Sequence, residues 1–295
     1  MIKYGITISL LLILICISCT DERVLPTMDE PISTEETPEL TSDTIRQIFG
    51  SNYVQLPESA ITISEDSTVW AQYAEPTERY THGILGDRVE AGALVVAANN
   101  QIIELILDQN YVYEDIRPRL YDIDGDGKLE VITIRSHVDL GAGIAIYKIE
   151  ESTLVEYAYV PEIGIRNRWL NVVAINDLDN DGIVELVWIE TPHIGGILKV
   201  VKILEGKLTA VSEARQYSNH AIGETNLCLS VVVENPNEKL VYVPDQTRTK
   251  IAGFVFISNQ LVLVDLIDIA VDFSHTLATQ YTFENVVDDK VNCIE

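Results

Sequence analysis

Two acidic nonapeptides carry the chemistry most legible in this chain: DIDGDGKLE at 122–130 and DLDNDGIVE at 177–185. Carboxylates at alternate positions of a tight loop converge on one hard cation. In the first stretch Asp122, Asp124 and Asp126 offer side-chain oxygens, and Gly127 lets the backbone turn. The Lys128 backbone carbonyl and the Glu130 carboxylate complete the set. Asp177, Asp179, Asp181, Gly182, the Ile183 carbonyl and Glu185 repeat it. So many oxygen donors favour Ca²⁺ over Mg²⁺, which keeps its waters. Two calcium sites are therefore expected. An EF-hand is excluded, because its closing Glu would fall on Thr133 and Trp188. The loops run instead into EVITIR and ELVWIE, which are β-branched and strand-like.

Aligning the chain on these loops sorts the surrounding apolar runs into columns. A first run (117–124, 170–179) precedes each loop and a second (130–134, 185–189) follows it. A third (143–149, 197–203) and a fourth (153–160, 207–214) close each unit. The order extends upstream through 79–87, 93–98, 101–107 and 111–116, with a ligand-free loop GDRVEAG. Downstream it extends through 227–234, 239–243, 251–257 and 260–267, with the loop VENPNEK. Four-stranded units repeating at this period predict an all-β chain, a β-propeller. Further strand-like pieces, AITIS (60–64), TVWAQY (68–73) and TQYTFENVV (279–287), favour five blades, with four as the alternative.

The motif Asp122-x-Asp124-x-Asp126-Gly127-x-x-Glu130 and its twin at 177–185 resemble those of the FG-GAP/VCBS repeat family, which includes the propeller of integrin α chains. The resemblance covers residues 80–268 and implies a propeller carrying calcium loops. RYTHGILGD, RPRLYDIDGDG, RNRWL and NHAIGE also resemble stretches of uncharacterised bacterial repeat-containing lipoproteins, which implies nothing about chemistry.

The beginning of the chain reads as an export signal. Residues 1–18 pair Lys3 with the apolar run Leu10–Ile15, too short for a comfortable membrane span. Ser18 before Cys19 resembles a lipoprotein cleavage site, so Cys19 is the expected lipid anchor. Thr20 in the next position resembles sorting to a bacterial outer membrane. Residues 19–53, rich in Thr, Ser, Pro and Glu, are expected to be a flexible acidic tether, with the propeller at 54–295. Export also permits a Cys228–Cys293 disulfide, the alternative being two buried thiols. A net charge of −26 argues against nucleic acid and anionic lipid head groups as partners. Contact with the membrane is expected through the lipid alone.

Propeller geometry places the calcium loops on one face. The remaining turns, on the opposite face, gather His82, Arg117, Arg119, Arg166, Arg168, Trp169, His193 and His220, from a chain with only 20 Lys and Arg. Arginine forks suit carboxylates and phosphates, and Trp169 offers a stacking surface. This face is expected to bind an anionic or carbohydrate ligand, or else to hold blades together through structural ion pairs. No G-x-S-x-G, H-E-x-x-H or glycine-rich phosphate loop is present. The expectation is a membrane-tethered, calcium-stabilised binding module. A periplasmic hydrolase or lyase and an assembly scaffold are the alternatives.

Overall fold

The computed structural model describes residues 41–278 apart from 55, 228, 236 and 237. Residues 1–18, read as an export signal, Cys19, Cys228, Cys293 and the run 279–287 lie outside the described residues, as does the expected tether up to residue 40. The rest is all-β, built from antiparallel meanders. The first meander is β1 (Thr62–Ile63), β2 (Trp70–Thr77), β3 (Glu90–Ala98) and β4 (Gln101–Ile106). In the second, β5 (Tyr111–Tyr113) and β6 (Arg119–Tyr121) both pair with β7 (Glu130–His137), followed by β8 (Gly141–Glu150) and β9 (Thr153–Val160). The third is β10 (Leu170–Asn176), β11 (Val184–Glu190), β12 (Ile197–Leu204) and β13 (Lys207–Arg215). The fourth is β14 (Val231–Asn235), β15 (Glu238–Pro244), β16 (Lys250–Ile257) and β17 (Gln260–Asp268). A bridge between Ala91 and Tyr113 joins the first two meanders into one nine-stranded sheet.

Burial explains the residue choice in each column. All nine residues of β3 and all seven of β10 are buried. Helix α1 and the second meander cover the two faces of β3, and the second and fourth meanders those of β10, so continuous apolar runs replace the usual alternation. Ile132, Ile134 and Ile144 of the second meander pack on Val172, Leu186 and Trp188 of the third. Val187, Ile189 and Val200 then pack on Val241, Val243 and Phe254 of the fourth. Outer strands such as β13 stay largely exposed. A register shift recurs between third and fourth strands, at Ile146/Tyr147, Val200/Val201 and Gly253/Phe254. Such bulges sharpen local twist.

Two expectations require correction. The first unit is displaced by one strand. Residues 79–87 connect β2 to β3 rather than forming an inner strand, and β5 belongs to the second meander. The pieces at 60–64 and 68–73, assigned to an additional blade, supply β1 and β2 of the first. The expected flexible tether also does not extend to residue 53. Ser42–Asn52 form helix α1, capped by Thr41, whose side chain accepts from the Thr44 amide. Ile45 and Phe49 lie one turn apart and pack on Trp70, Ala74, Ala93, Val95 and Ala97. The helix thereby covers the face of the first meander that faces away from the second.

Candidate functional site

Both acidic loops connect a first strand to a second: residues 122–129 join β6 to β7, and 177–183 join β10 to β11. They fold alike. The first Asp of each wraps the backbone, Asp122 accepting from the amides of Gly125 (2.8 Å) and Gly127 (3.0 Å). Asp177 accepts from Asp181 (3.0 Å) and Gly182 (2.9 Å). Gly127 and Gly182 adopt φ of 83° and 85°, where a side chain would be strained. The closing carboxylates reach back, Glu130 to the Ile123 amide (2.8 Å) and Glu185 to the Leu178 amide (2.7 Å). Burial pushes the carboxyl groups of Glu130 and Glu185 up to about 7 in each case.

Ligand atoms of Asp122, Asp124 and Glu130 lie within 4.8 Å of one another, and those of Asp177, Asp179 and Glu185 do the same. Asp126 and Asp181 stand outside these triads and turn an oxygen onto the amides of Lys128 and Ile183. Two lysines that sequence reading missed approach the loops. Lys148 Nζ contacts Asp124 and stands 3.7 Å from Asp126. Lys202 Nζ contacts Asp181 and lies 3.0 Å from Asp179 and 3.2 Å from Glu185. Even so, Asp179 Oδ1 is buried without a hydrogen bond, and Glu185 Oε1 has only the Lys202 ammonium beside it. An all-carboxylate set with buried oxygens so sparsely met fits a hard divalent cation.

The connections at the other end of the strands touch across sheets, through the bonds Ala142 N to Arg168 O and Gln246 N to Gln216 O. Here the structure brings His82, Trp169, His193 and His220 together, around a residue that sequence reading missed, Glu114. Its carboxylate accepts from His82 Nδ1 at 2.6 Å and from Ser136 Oγ, while its backbone oxygen accepts from Trp169 Nε1 at 2.9 Å. Trp169 stacks on His193 with centroids 6.1 Å apart and leans on His220 at 4.7 Å. His220 Nε2 meets the Glu224 carbonyl at 2.7 Å, and a carbonyl only accepts, so Nε2 carries the proton. His220 Nδ1 then accepts from His193 Nε2 at 2.9 Å, which leaves His193 Nδ1 as a bare acceptor. Burial, followed by the charges of His220 and Arg248, holds His193 down to about 4.

Not every residue expected on this face is free to bind. Trp169 is 2% exposed and offers no stacking surface. Arg119 is 1% exposed and forks onto Asp115 at 2.5 and 3.3 Å. Asp115 also accepts from Tyr73 Oη at 3.0 Å and from the Ile116 amide at 2.9 Å. This pair belongs to the fold, although it lies within the second meander rather than between blades. Arg117 is half-buried, Arg166 is exposed, and Arg168 donates to the Asn167 carbonyl at 3.1 Å. The signal for Glu114 and Asp115 was the acidic pair ahead of Arg-Pro-Arg at 117–119. It read as a strand end because the inner strand of the second meander is broken there.

No family model matches the chain, and no curated protein matches it in sequence. Among solved structures it is similar to a periplasmic gluconolactonase of Pseudomonas aeruginosa, PpgL, at 13% identity and a TM-score of 0.43, over 72% of this chain and 54% of that one. The exotype rhamnogalacturonan lyase YesX is similar at 12% identity and a TM-score of 0.41, over 73% of this chain and 50% of the lyase. The SREBP–SCAP binding domains of fission yeast give 16% identity and a TM-score of 0.39, over 80% of this chain and 57% of that one. The chain spans about half the length of each of these proteins. TM-scores this low carry no argument about activity.

Proposed function

We propose that this chain is a calcium-stabilised β-propeller that serves as a binding module, tethered to the bacterial envelope through a lipid on Cys19. The observation that carries the reading is the recurrence of one acidic triad, with one loop geometry, in consecutive meanders. Each triad gathers three carboxylates that repel one another until a cation joins them. Bound calcium would pin a loop between the first and second strands and leave the other end open for a partner. The sheet-on-sheet packing of the meanders supports the propeller. The test is a thermal melt of the full-length protein in EDTA and in millimolar Ca²⁺. The expected result is a calcium-dependent rise in melting temperature, since an ion bound only by the folded state stabilises it. Equal melting temperatures would contradict the reading.

A second reading, a hydrolase or lyase, is favoured by one observation. Glu114 fixes His82 through Nδ1, which leaves Nε2 as a base oriented by a buried carboxylate. Under this reading His82→Ala abolishes turnover of a lactone or uronate polysaccharide by the purified protein while leaving its calcium-dependent melt intact. Absence of any turnover across such substrates by the unaltered protein leaves the binding module as the function.

A further inference from the structure

We propose that Lys148 and Lys202 are internal competitors for the cation sites, so that each loop holds either its own ammonium or a divalent ion, and that the second loop is the harder to load. The proposal rests on the reading of these loops as calcium sites and goes beyond it, because it assigns a role to residues outside the acidic motif.

The two lysines hold equivalent places in consecutive repeats, in YKI at 147–149 and VKI at 201–203. Each sits on the third strand of its meander. Lys202 faces Glu185 directly in the ladder between β11 and β12. In the other meander Val131 faces Tyr147, and Glu130 and Lys148 are the next residues along. Directly opposed side chains on neighbouring strands share a face and meet. The repeat therefore encodes, beside every calcium motif, a cation aimed into it.

The two ammonium groups are not equally placed. Lys202 lies 3.0 Å from Asp179 Oδ2, whose other oxygen is orphaned, and 3.2 Å from Glu185 Oε1, which has no other partner. A calcium ion needs oxygens at about 2.3–2.6 Å, so it would share those carboxylates with a like charge only a few ångströms away. Lys202 must leave before the ion settles, and its side chain is only 12% exposed. Lys148 contacts Asp124 and Asp126 rather than the closing Glu130, and its side chain is 23% exposed. Each ammonium also lies over an aromatic ring, Lys148 nearer to Tyr157 at 4.7 Å than Lys202 to Phe256 at 5.6 Å. The first loop thus opens to a divalent ion with less rearrangement. Without metal, both lysines keep the loops from flying apart.

Isothermal titration with Ca²⁺ tests this in the full-length protein. Asp124→Ala silences the first loop and isolates the second. Adding Lys202→Met to that variant is expected to tighten calcium binding at least tenfold, and Lys202→Met alone to lower the melting temperature in EDTA. Unchanged or weaker binding after Lys202→Met would overturn the competition while leaving the calcium reading intact. No calcium heat in any variant, the unaltered protein included, would remove the calcium reading and this proposal together. Should the double variant fail to fold, Lys202→Met in the otherwise unaltered chain answers the question. Two unequal affinities should there move closer together, and a gap that stays or widens contradicts the proposal.

Discussion

The two ends of the meanders treat buried charge in opposite ways. At the loop end, Glu130 and Glu185 are 1% and 0% exposed, yet their triads are completed only by a lysine at the side. Asp179 Oδ1 stays orphaned there, and Glu185 Oε1 meets nothing but the Lys202 ammonium. At the other end, Asp115 and Glu114 are as deeply buried, but each is met by fixed donors: Arg119, Tyr73 and the Ile116 amide for one, His82 and Ser136 for the other. A filled network holds a fold together by itself. A gathered but unfilled one asks for a cation. The carboxylate count alone would not separate the two ends, whereas their partners do.

The sharpest way to break the comparison is to empty the filled end. Arg119→Ala leaves Asp115 buried without its counter-charge and should cost about 3–5 kcal/mol in urea unfolding. The loss should be the same in EDTA and in Ca²⁺, and a loss that calcium alters would mean that the ends are coupled. Next in size is the unfilled end. Asp124→Ala with Asp179→Ala should abolish the calcium-dependent stabilisation, about 2.7 kcal/mol per site at a hundredfold excess over Kd, with little change in EDTA.

Glu90 offers a smaller test, because it is the exception at the filled end. Its side chain is 3% exposed, and burial together with Glu114, Asp87 and Asp115 pushes its carboxyl up to about 10. The folded protein therefore takes up a proton that the unfolded chain releases above its ordinary value of 4.5. Stability falls as pH rises between these values, by at most about 1.4 kcal/mol per pH unit. Glu90→Gln should flatten that slope and stabilise the protein more at pH 8 than at pH 5, as read by urea midpoints. The smallest effect concerns His193, whose value falls from 6.5 to about 4 on folding. The unfolded chain binds the proton first on acidification, so stability is lost as pH drops through this window. His193→Gln should remove that part of the acid sensitivity.

The second, third and fourth meanders were legible in the sequence because their strands are long, apolar and punctuated by Gly, Asn or Asp. The first was not. β1 has only two residues, and the inner strand of the second meander is broken by the polar run Glu114–Pro118. Anchoring the repeat on its loops then moved every upstream strand by one place. Helix α1 was hidden by its acidic, proline-rich surroundings, although Ile45 and Phe49 carried its spacing. Of the sites, the acidic triads were legible because their ligands are close in sequence. Glu114, Lys148 and Lys202 were not, because each meets its partners only across strands.

Calcium stoichiometry tests the central claim most directly. Titration of the full-length protein with Ca²⁺ should give two ions per chain, and none after Asp124→Ala with Asp179→Ala. A stoichiometry of zero in the unaltered protein, or two ions retained in the double variant, would contradict the assignment of calcium to these loops.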